Sequence, residues 1–402
     1  MKEIVKTNIL RKIETKLYKQ GLTERKAALI GVLDYKTKWN NSKNPHIKLC
    51  KDILEKTQKS AVIFSIPKEP YNTIINYLAE KSEGSIIPKD SETRLFLHEI
   101  PVASKFSSAK IIRLLKTKRF VVIPSSGIIT TGSISLEQAF IYFSSICFSC
   151  FVKFFIDFLY KAVNRKIILK DSSVFKKAAG YLNTYPENTP QLLKGPFKTK
   201  DSIISAISEA GKLLIKNRLV DSCFGNISYI RNNDIYITQT SSYLDELKNN
   251  IDICPLDGSS CESITASSEF STHKKILLEN NAHCVLHGHP KFSVILSMFC
   301  EHYDCANKDN CNKFCLRKRH INDIPIVSGE IGSGKYGINK TVPKALKEST
   351  GVIVYGHGVF TSSKIDFNSA FDTLLKIEKK CRQRYFDIIL NSSGKDTTDL
   401  TN

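Results

Sequence analysis

Internal repetition constrains this chain more than any other feature. In the second half, Val285-Leu286-His287-Gly288-His289-Pro290-Lys291 closes a short apolar strand, and in the first half Val62-Ile63-Phe64-Ser65-Ile66-Pro67-Lys68 does the same. Further on, the runs Gly351 to Phe360 and Arg119 to Ile129 each lead into a helix, beginning near Asp366 and Ser135. One shared apolar segment arises easily by chance, whereas three in the same order at similar intervals do not. At 402 residues the chain exceeds one ordinary domain and suffices for two. The repetition therefore predicts two tandem α/β domains.

The copies differ in chemistry. Phe64 stands where the second copy has His287, Ile66 where it has His289, and Ser126 where it has His357, while the same alignment sets His46 opposite Glu269. His287 and His289 are two residues apart on a run of strand character, so both imidazoles project from one face. Gly288 between them admits a close backbone approach. His357 lies between Gly356 and Gly358 at the end of another apolar strand, where small neighbours leave room for an ion. Three neutral nitrogen ligands with an open fourth position describe a catalytic zinc site. The competing reading is three separate core histidines.

Five segments of the second copy, Phe224-Gly225-Asn226-Ile227-Ser228, Ile235-Tyr236-Ile237-Thr238-Gln239-Thr240-Ser241, Ser267-Ser268-Glu269, His287-Gly288-His289-Pro290 and Tyr355-Gly356-His357-Gly358, follow one another in the order of a known family. Residues 201 to 386 resemble the class II aldolase/adducin family, and residues 11 to 162 resemble a shortened, degenerate member. The resemblance implies two tandem α/β/α sandwich domains, with boundaries at 1–182 and 200–390. It implies zinc on His287, His289 and His357, with Glu269 as acid/base, its pKa raised by an apolar pocket. Asn226, Thr240, Ser241, Ser267 and Ser268 fall where aldolases of the family hold a substrate phosphate. Ser241 departs from the glycine usual there. The implied reaction is retro-aldol cleavage of a ketose phosphate through a metal-stabilised enediolate, with a dehydratase or epimerase as alternatives using the same parts. A non-enzymatic, adducin-like scaffold is the alternative outside enzymes. Ring assembly in the family implies a homodimer of two-copy chains forming a pseudo-tetramer. The Ser-Ser-Glu run also reads as an ordinary helix cap.

Cys300, Cys305, Cys311 and Cys315 lie within sixteen polar, loop-like residues that the first copy lacks. Their C-x4-C-x5-C-x3-C spacing suggests a structural zinc or, less readily, an iron-sulfur centre, against a reading as unligated thiols in an insertion. Gly329 to Gly337 is glycine-rich but lacks the Gly-Lys-Ser/Thr ending of a phosphate loop, and reads as a turn near the active site. Residues 183–199, with Pro186, Pro190, Gly195 and Pro196, read as a linker, and 391–402 as a flexible tail after a helix from Phe367 to Leu390.

The formal charge of +20 is uneven: residues 1–200 hold 35 Lys and Arg against 16 Asp and Glu, and 201–402 hold 24 against 23. Such a half can contact nucleic acid or an acidic partner. Without a basic run or a basic-aromatic motif, a lysine-rich codon bias explains it better. No apolar run reaches the ~18 residues of a membrane span; Ala139 to Val152, fenced by Glu137, Lys153 and Asp157, reads as a core helix. The N-terminus shows no apolar stretch of a secretory signal. The expectation is a cytoplasmic protein with reduced thiols, acting on a small phosphorylated sugar.

Overall fold

A computed structural model describes residues 2–259, 264–302 and 304–392. They fall into two compact units, one reaching Asn183 and one starting at Thr184. The first unit contains helices α1 (Lys2–Lys19), α2 (Ile47–Thr57), α3 (Tyr71–Glu80), α4 (Ser91–Leu97), α5 (Ser108–Thr117), α6 (Leu136–Val163) and α7 (Leu169–Gly180). Its strands are β1 (Leu29–Leu33), β2 (Thr37–Trp39), β3 (Ala61–Ser65), the short pair β4 (Ser85–Ile86) and β5 (Ile100–Pro101), β6 (Phe120–Ile123) and β7 (Gly127–Gly132). The second unit has α8 (Lys200–Lys216), α9 (Phe270–Glu279), α10 (Lys291–Met298), α11 (Ile338–Ala345) and α12 (Phe367–Ser392). Its strands are β8 (Asn226–Arg231), β9 (Asp234–Thr238), β10 (Ile251–Pro255), β11 (Cys284–Gly288), β12 (Arg319–Ile321), β13 (Ile324–Val327), β14 (Gly351–Val354) and β15 (Gly358–Ser363).

Both units are α/β/α sandwiches with one topology at their centre. The first sheet runs β2-β1-β3-β7-β6, and the second contains β9-β8-β11-β15-β14 in the same antiparallel arrangement, extended by β10 at one edge and β13-β12 at the other. On one face of the first sheet, Val62 and Phe64 pack with Ile53 and Leu54 of α2 and Ile111 and Leu115 of α5. On the matching face of the second, Val285 packs with Ile276 and Leu277 of α9 and Val342 of α11. The long helices α6 and α12 lie against β7 and β15. The crossings agree in detail. A methyl on Gly127 would stand 2.4 Å from Ser65 O, and one on Gly358 would stand 2.4 Å from Gly288 O, so both positions hold glycine because a neighbouring strand backbone passes there.

Local sequence explains the long helices. Ser135 caps α6, its hydroxyl accepting from Gln138 N at 3.4 Å, while the Gln138 side chain accepts from Ser133 N and Ile134 N at 3.0 Å. The helix extends well past the apolar window seen in the sequence. By length and composition its 28 residues would suffice to cross a membrane, but 83% of the most apolar stretch is buried within the protein. Helix α12 buries Ala370, Leu374, Ile377 and Cys381, the stripe its periodicity predicts. Residues 184–199 form neither helix nor strand and run antiparallel to α12. Tyr185 OH donates to Glu378, the Thr189 hydroxyl to Asp372, Leu192 N to Asn368 and Gly195 N to Asp366, at 2.6–2.9 Å. The proline-rich stretch is thus a strap on the second unit's helix. Residues 393–402, most of the expected tail, lie outside the described residues.

A buried carboxylate ties the helices of the first unit. Asp171 of α7 accepts from Tyr77 OH, from Lys81 Nζ at 2.8 Å and from Lys161 Nζ at 3.0 Å. Burial pushes its pKa up, but these donors prevail and hold it well below the ordinary carboxylate range. Its contribution to stability is therefore full above the unfolded value near pH 4 and fades as pH falls below it. Asp171→Ala is expected to cost about 2 kcal/mol in urea unfolding at pH 7, and progressively less below pH 4. An equal cost at pH 7 and pH 2 would contradict the ionic role.

Candidate metal centre

Strand β11 alternates faces, so His287 points the same way as Val285, toward α9. Its Nδ1 lies 3.0 Å from Val359 O. A carbonyl can only accept, so Nδ1 carries a proton and Nε2 is the ring nitrogen turned inward. His289 follows the strand, held by its backbone N–H donating to Leu219 O at 2.9 Å. His357 sits in the turn from β14 to β15, where Gly356 adopts φ 61° and donates its N–H to Ser297 Oγ at 2.8 Å. The three imidazoles are buried, and one ring nitrogen from each lies within 4.8 Å of the others.

Glu269 completes the centre. It occupies the N-cap position of α9, but its side chain makes no capping bond; Ser267 Oγ accepts from Glu269 N instead, at 3.3 Å. The released carboxylate is 3% exposed. It lies 2.8 Å from His357 Nε2 and 3.3 Å from His287 Nε2, and accepts from Asn226 Nδ2 at 2.8 Å. Burial pushes its pKa up, as expected from the sequence, but the charges of His287 and His357 outweigh burial and hold it well below the ordinary range. The carboxylate is therefore ionised. The Nε2 atoms of His287 and His289 face each other at 2.9 Å. Opposed nitrogens beside an anion call for a shared proton or cation, and three imidazoles with a carboxylate suit a divalent ion.

Behind Glu269 runs a buried chain that sequence reasoning missed. The Asn226 Nδ2 group donates to Glu269, so its Oδ1 accepts from His273 Nε2, and His273 Nδ1 accepts from Ser228 Oγ at 2.7 Å. Burial first, with His287 opposing protonation and Glu269 favouring it, lowers the His273 pKa to about 3. His273 is thus neutral with a fixed tautomer. Its available signal was the four-residue spacing from Glu269, which puts both on one face of α9. Also missed were the buried Lys291–Asp221 ion pair and Glu378, a buried carboxylate of α12 that accepts from Phe292 N, Ser293 N and the Ser293 hydroxyl at 2.7–2.9 Å.

The proposed phosphate residues divide. Backbone bonds from Thr240 N to Thr265 O and from Ser267 N to Thr238 O bring the turn carrying Thr240 and Ser241 beside Ser267 and Ser268. Thr240, Ser241 and Ser268 are exposed and Ser267 is buried. Ser241 has φ 58°, a left-handed conformation that explains why glycine suits the position. Asn226 directs its amide at Glu269 and His273, so a phosphate could draw only on the second Nδ2–H. The glycines flanking His357 make no roomy pocket: Gly356 forms the turn and Gly358 lets β15 pass β11. Among the described residues, the histidines are the group of His, Cys, Asp and Glu gathered to metal-sharing distance; the four cysteines are not drawn that close.

Residues 205–385 match the family Class II Aldolase and Adducin N-terminal domain. No curated protein matches the sequence. Among solved structures, the chain is similar to L-fuculose-1-phosphate aldolase from Thermus thermophilus, at 19% identity over 48% of this chain and 98% of that one, with a TM-score of 0.39. It is similar to a sugar-phosphate aldolase from Thermotoga maritima, at 19% identity over 49% and 97%, TM-score 0.35. It is also similar to L-fuculose 1-phosphate aldolase from Glaciozyma antarctica, at 12% identity over 48% and 77%, TM-score 0.35.

A methyl added to Gly358 would stand 2.8 Å from His287 Cε1 as well as 2.4 Å from Gly288 O. Gly358→Ala is expected to weaken divalent-metal binding by about tenfold to a hundredfold, as disturbed supports of a metal site do, with the far-ultraviolet circular dichroism retained. Gly334→Ala, with open space around it, serves as control. Equal metal affinity in both variants would show that the crossing does not position His287.

Proposed function

We propose, from the match of residues 205–385 to the class II aldolase and adducin family, that the second unit is a zinc-dependent sugar-phosphate aldolase that cleaves a ketose phosphate. The observation that carries the reading is the meeting of three imidazole nitrogens and one ionised carboxylate in a single buried pocket. His287, His289 and His357 would hold the zinc, which when bound supplies Lewis-acid polarisation of the substrate carbonyl and hydroxyl. Glu269 is the base of the pocket. Its carboxylate takes the hydroxyl proton whose loss drives cleavage, then returns it to the carbon left behind. Asn226, aligned by His273, keeps one carboxylate oxygen oriented. The hydroxyls of Thr240, Ser241, Ser267 and Ser268 would receive the phosphate. The substrate is then a small phosphorylated sugar, and the setting a reducing cytoplasm.

Glu269→Gln is expected to retain zinc but lower turnover by about two to four orders of magnitude. Replacing His287, His289 and His357 together by Ala should remove that zinc without unfolding the chain. Screening begins with short ketose phosphates, and undiminished cleavage by Glu269→Gln would sink the mechanism. A dehydratase or epimerase would use the same residues and is separated from the aldolase by product analysis.

The matching strand order of the two sheets supports a tandem duplication whose first copy lost its ligands. We propose that this copy, with its packing surfaces kept, lets two chains close as a pseudo-tetramer with two active sites. Light scattering should then give twice the chain mass, and the mass of one chain at micromolar concentration would rule the assembly out.

A further inference from the structure

The loop joining α10 to β12 is built inside out. Among its described side chains from Cys300 to Lys318, Cys311 is the buried one, and Cys300, Cys305 and Cys315 are half-buried. Its apolar residues face the other way: Ala306 is exposed, Phe314 is 39% exposed and Leu316 is 78% exposed. A loop that folded by ordinary burial would place Leu316 and Phe314 inside and leave the thiols indifferent. Here all four cysteines are less exposed than either. Burial first, and then the nearby thiols of Cys315, Cys300 and Cys305, push the Cys311 thiol up, with Arg319 opposing. Cys311 thus has the other three cysteines in its neighbourhood. Local turns already bend the segment around them: Cys305 N donates to His302 O, Lys308 N to Cys305 O and Lys313 N to Asn310 O, while the Cys311 thiol points at Asn307 O, 3.6 Å away.

We propose that Cys300, Cys305, Cys311 and Cys315 hold a structural zinc ion, separate from the histidine centre. Binding replaces four S–H protons, which leave to solvent, and draws the sulfurs into a tetrahedral set. The resulting double negative charge is offset by Lys308, Lys313, Arg317, Lys318 and Arg319 in the same segment. The ion would act on the neighbouring glycine-rich turn. Asn312 O accepts from Gly329 N at 2.9 Å, and Phe314 stacks on Tyr336 with ring centroids 5.7 Å apart. Val327 O, two residues before Gly329, accepts from Tyr355 N at 2.9 Å, which places this turn beside the strand that delivers His357.

The test uses the full chain with zinc alone. Wild type should carry about two zinc ions per chain, and the triple variant lacking His287, His289 and His357 about one. The Cys305→Ser/Cys315→Ser double variant should keep the histidine zinc and lose the other. Replacing zinc by cobalt(II) in the triple variant should give a thiolate-to-cobalt charge-transfer band in the near ultraviolet. Chelation should then open the exposed bonds after Lys308, Arg317 and Lys318 to trypsin. A metal-free triple variant, a cobalt spectrum without the charge-transfer band, or an iron-sulfur chromophore would each overturn the proposal. Should a variant fail to fold, the cobalt spectrum of the wild type decides in the same way. A wild type with one zinc and a thiolate band would leave this site standing and overturn the histidine assignment instead.

Discussion

The second unit is organised around one expensive charge. Glu269 is buried at the start of α9, where an isolated carboxylate would cost several kcal/mol, and it is kept ionised by His287, His357 and Asn226. Those partners come from three different strands or their ends. Asn226 opens β8, His287 is the last residue but one of β11 and His357 directly precedes β15; Asn226 pairs with His287, and His287 with Phe360 of β15. The sheet must therefore be in register before the charge is satisfied. A one-residue slip would turn His287 to the opposite face and leave Glu269 without its counter-charge.

The first unit shows what the same frame looks like once the charge is gone. His46 holds the N-cap of α2 as Glu269 holds that of α9, and its ring lies 4.8 Å from Phe64, which takes the place of His287. Leu29 faces Phe64 across the strands where Asn226 faces His287. Phe64, Ile66 and Leu29 replace His287, His289 and Asn226 with apolar side chains, and the carboxylate itself is gone, with His46 in its place and Ser126 in that of His357. Removing one partner of a buried ionic group is costly, whereas replacing the entire group with packed apolar side chains is often neutral or favourable. The peripheral ion pair was kept: Lys68 meets Glu24 at 3.2 Å on the surface, as Lys291 meets Asp221 in the interior. A frame can thus outlive its chemistry when the substitutions are made together.

What the sequence revealed and what it hid follow from how far each interaction reaches along the chain. The apolar strands, the α12 stripe and the two-residue spacing of His287 and His289 are local patterns, and they were legible. Glu269 was legible through its neighbours Ser267 and Ser268. The Asn226–His273 bond spans 47 residues and the Glu378–Ser293 bond 85, and neither leaves a local pattern. The pKa of Glu269 was misjudged for a related reason. Burial was foreseeable from an apolar context, but the two imidazoles that outweigh it are brought in by folding alone. The short β12 and β13, and the strap formed by residues 184–199, were hidden because polar and proline-rich composition says loop without saying what the loop is tied to.

The hidden carboxylate Glu378 explains how His289 and His357 are held to one another. Helix α10 begins directly after His289-Pro290, and Pro290 at its N-cap has no side-chain acceptor for the first free N–H groups. Glu378 reaches across from α12 to take the N–H groups of Phe292 and Ser293. At the other end of α10, Ser297 receives the Gly356 N–H that sets the turn of His357. One helix thus spans from the residue after His289 to the turn before His357, and a single buried carboxylate fixes where it starts. Tyr185, in the strap that opens the second unit, donates to the same carboxylate at 2.8 Å. The distance between His289 and His357 is therefore set by a helix whose anchor lies on α12, so the segments that never touch the centre decide its geometry.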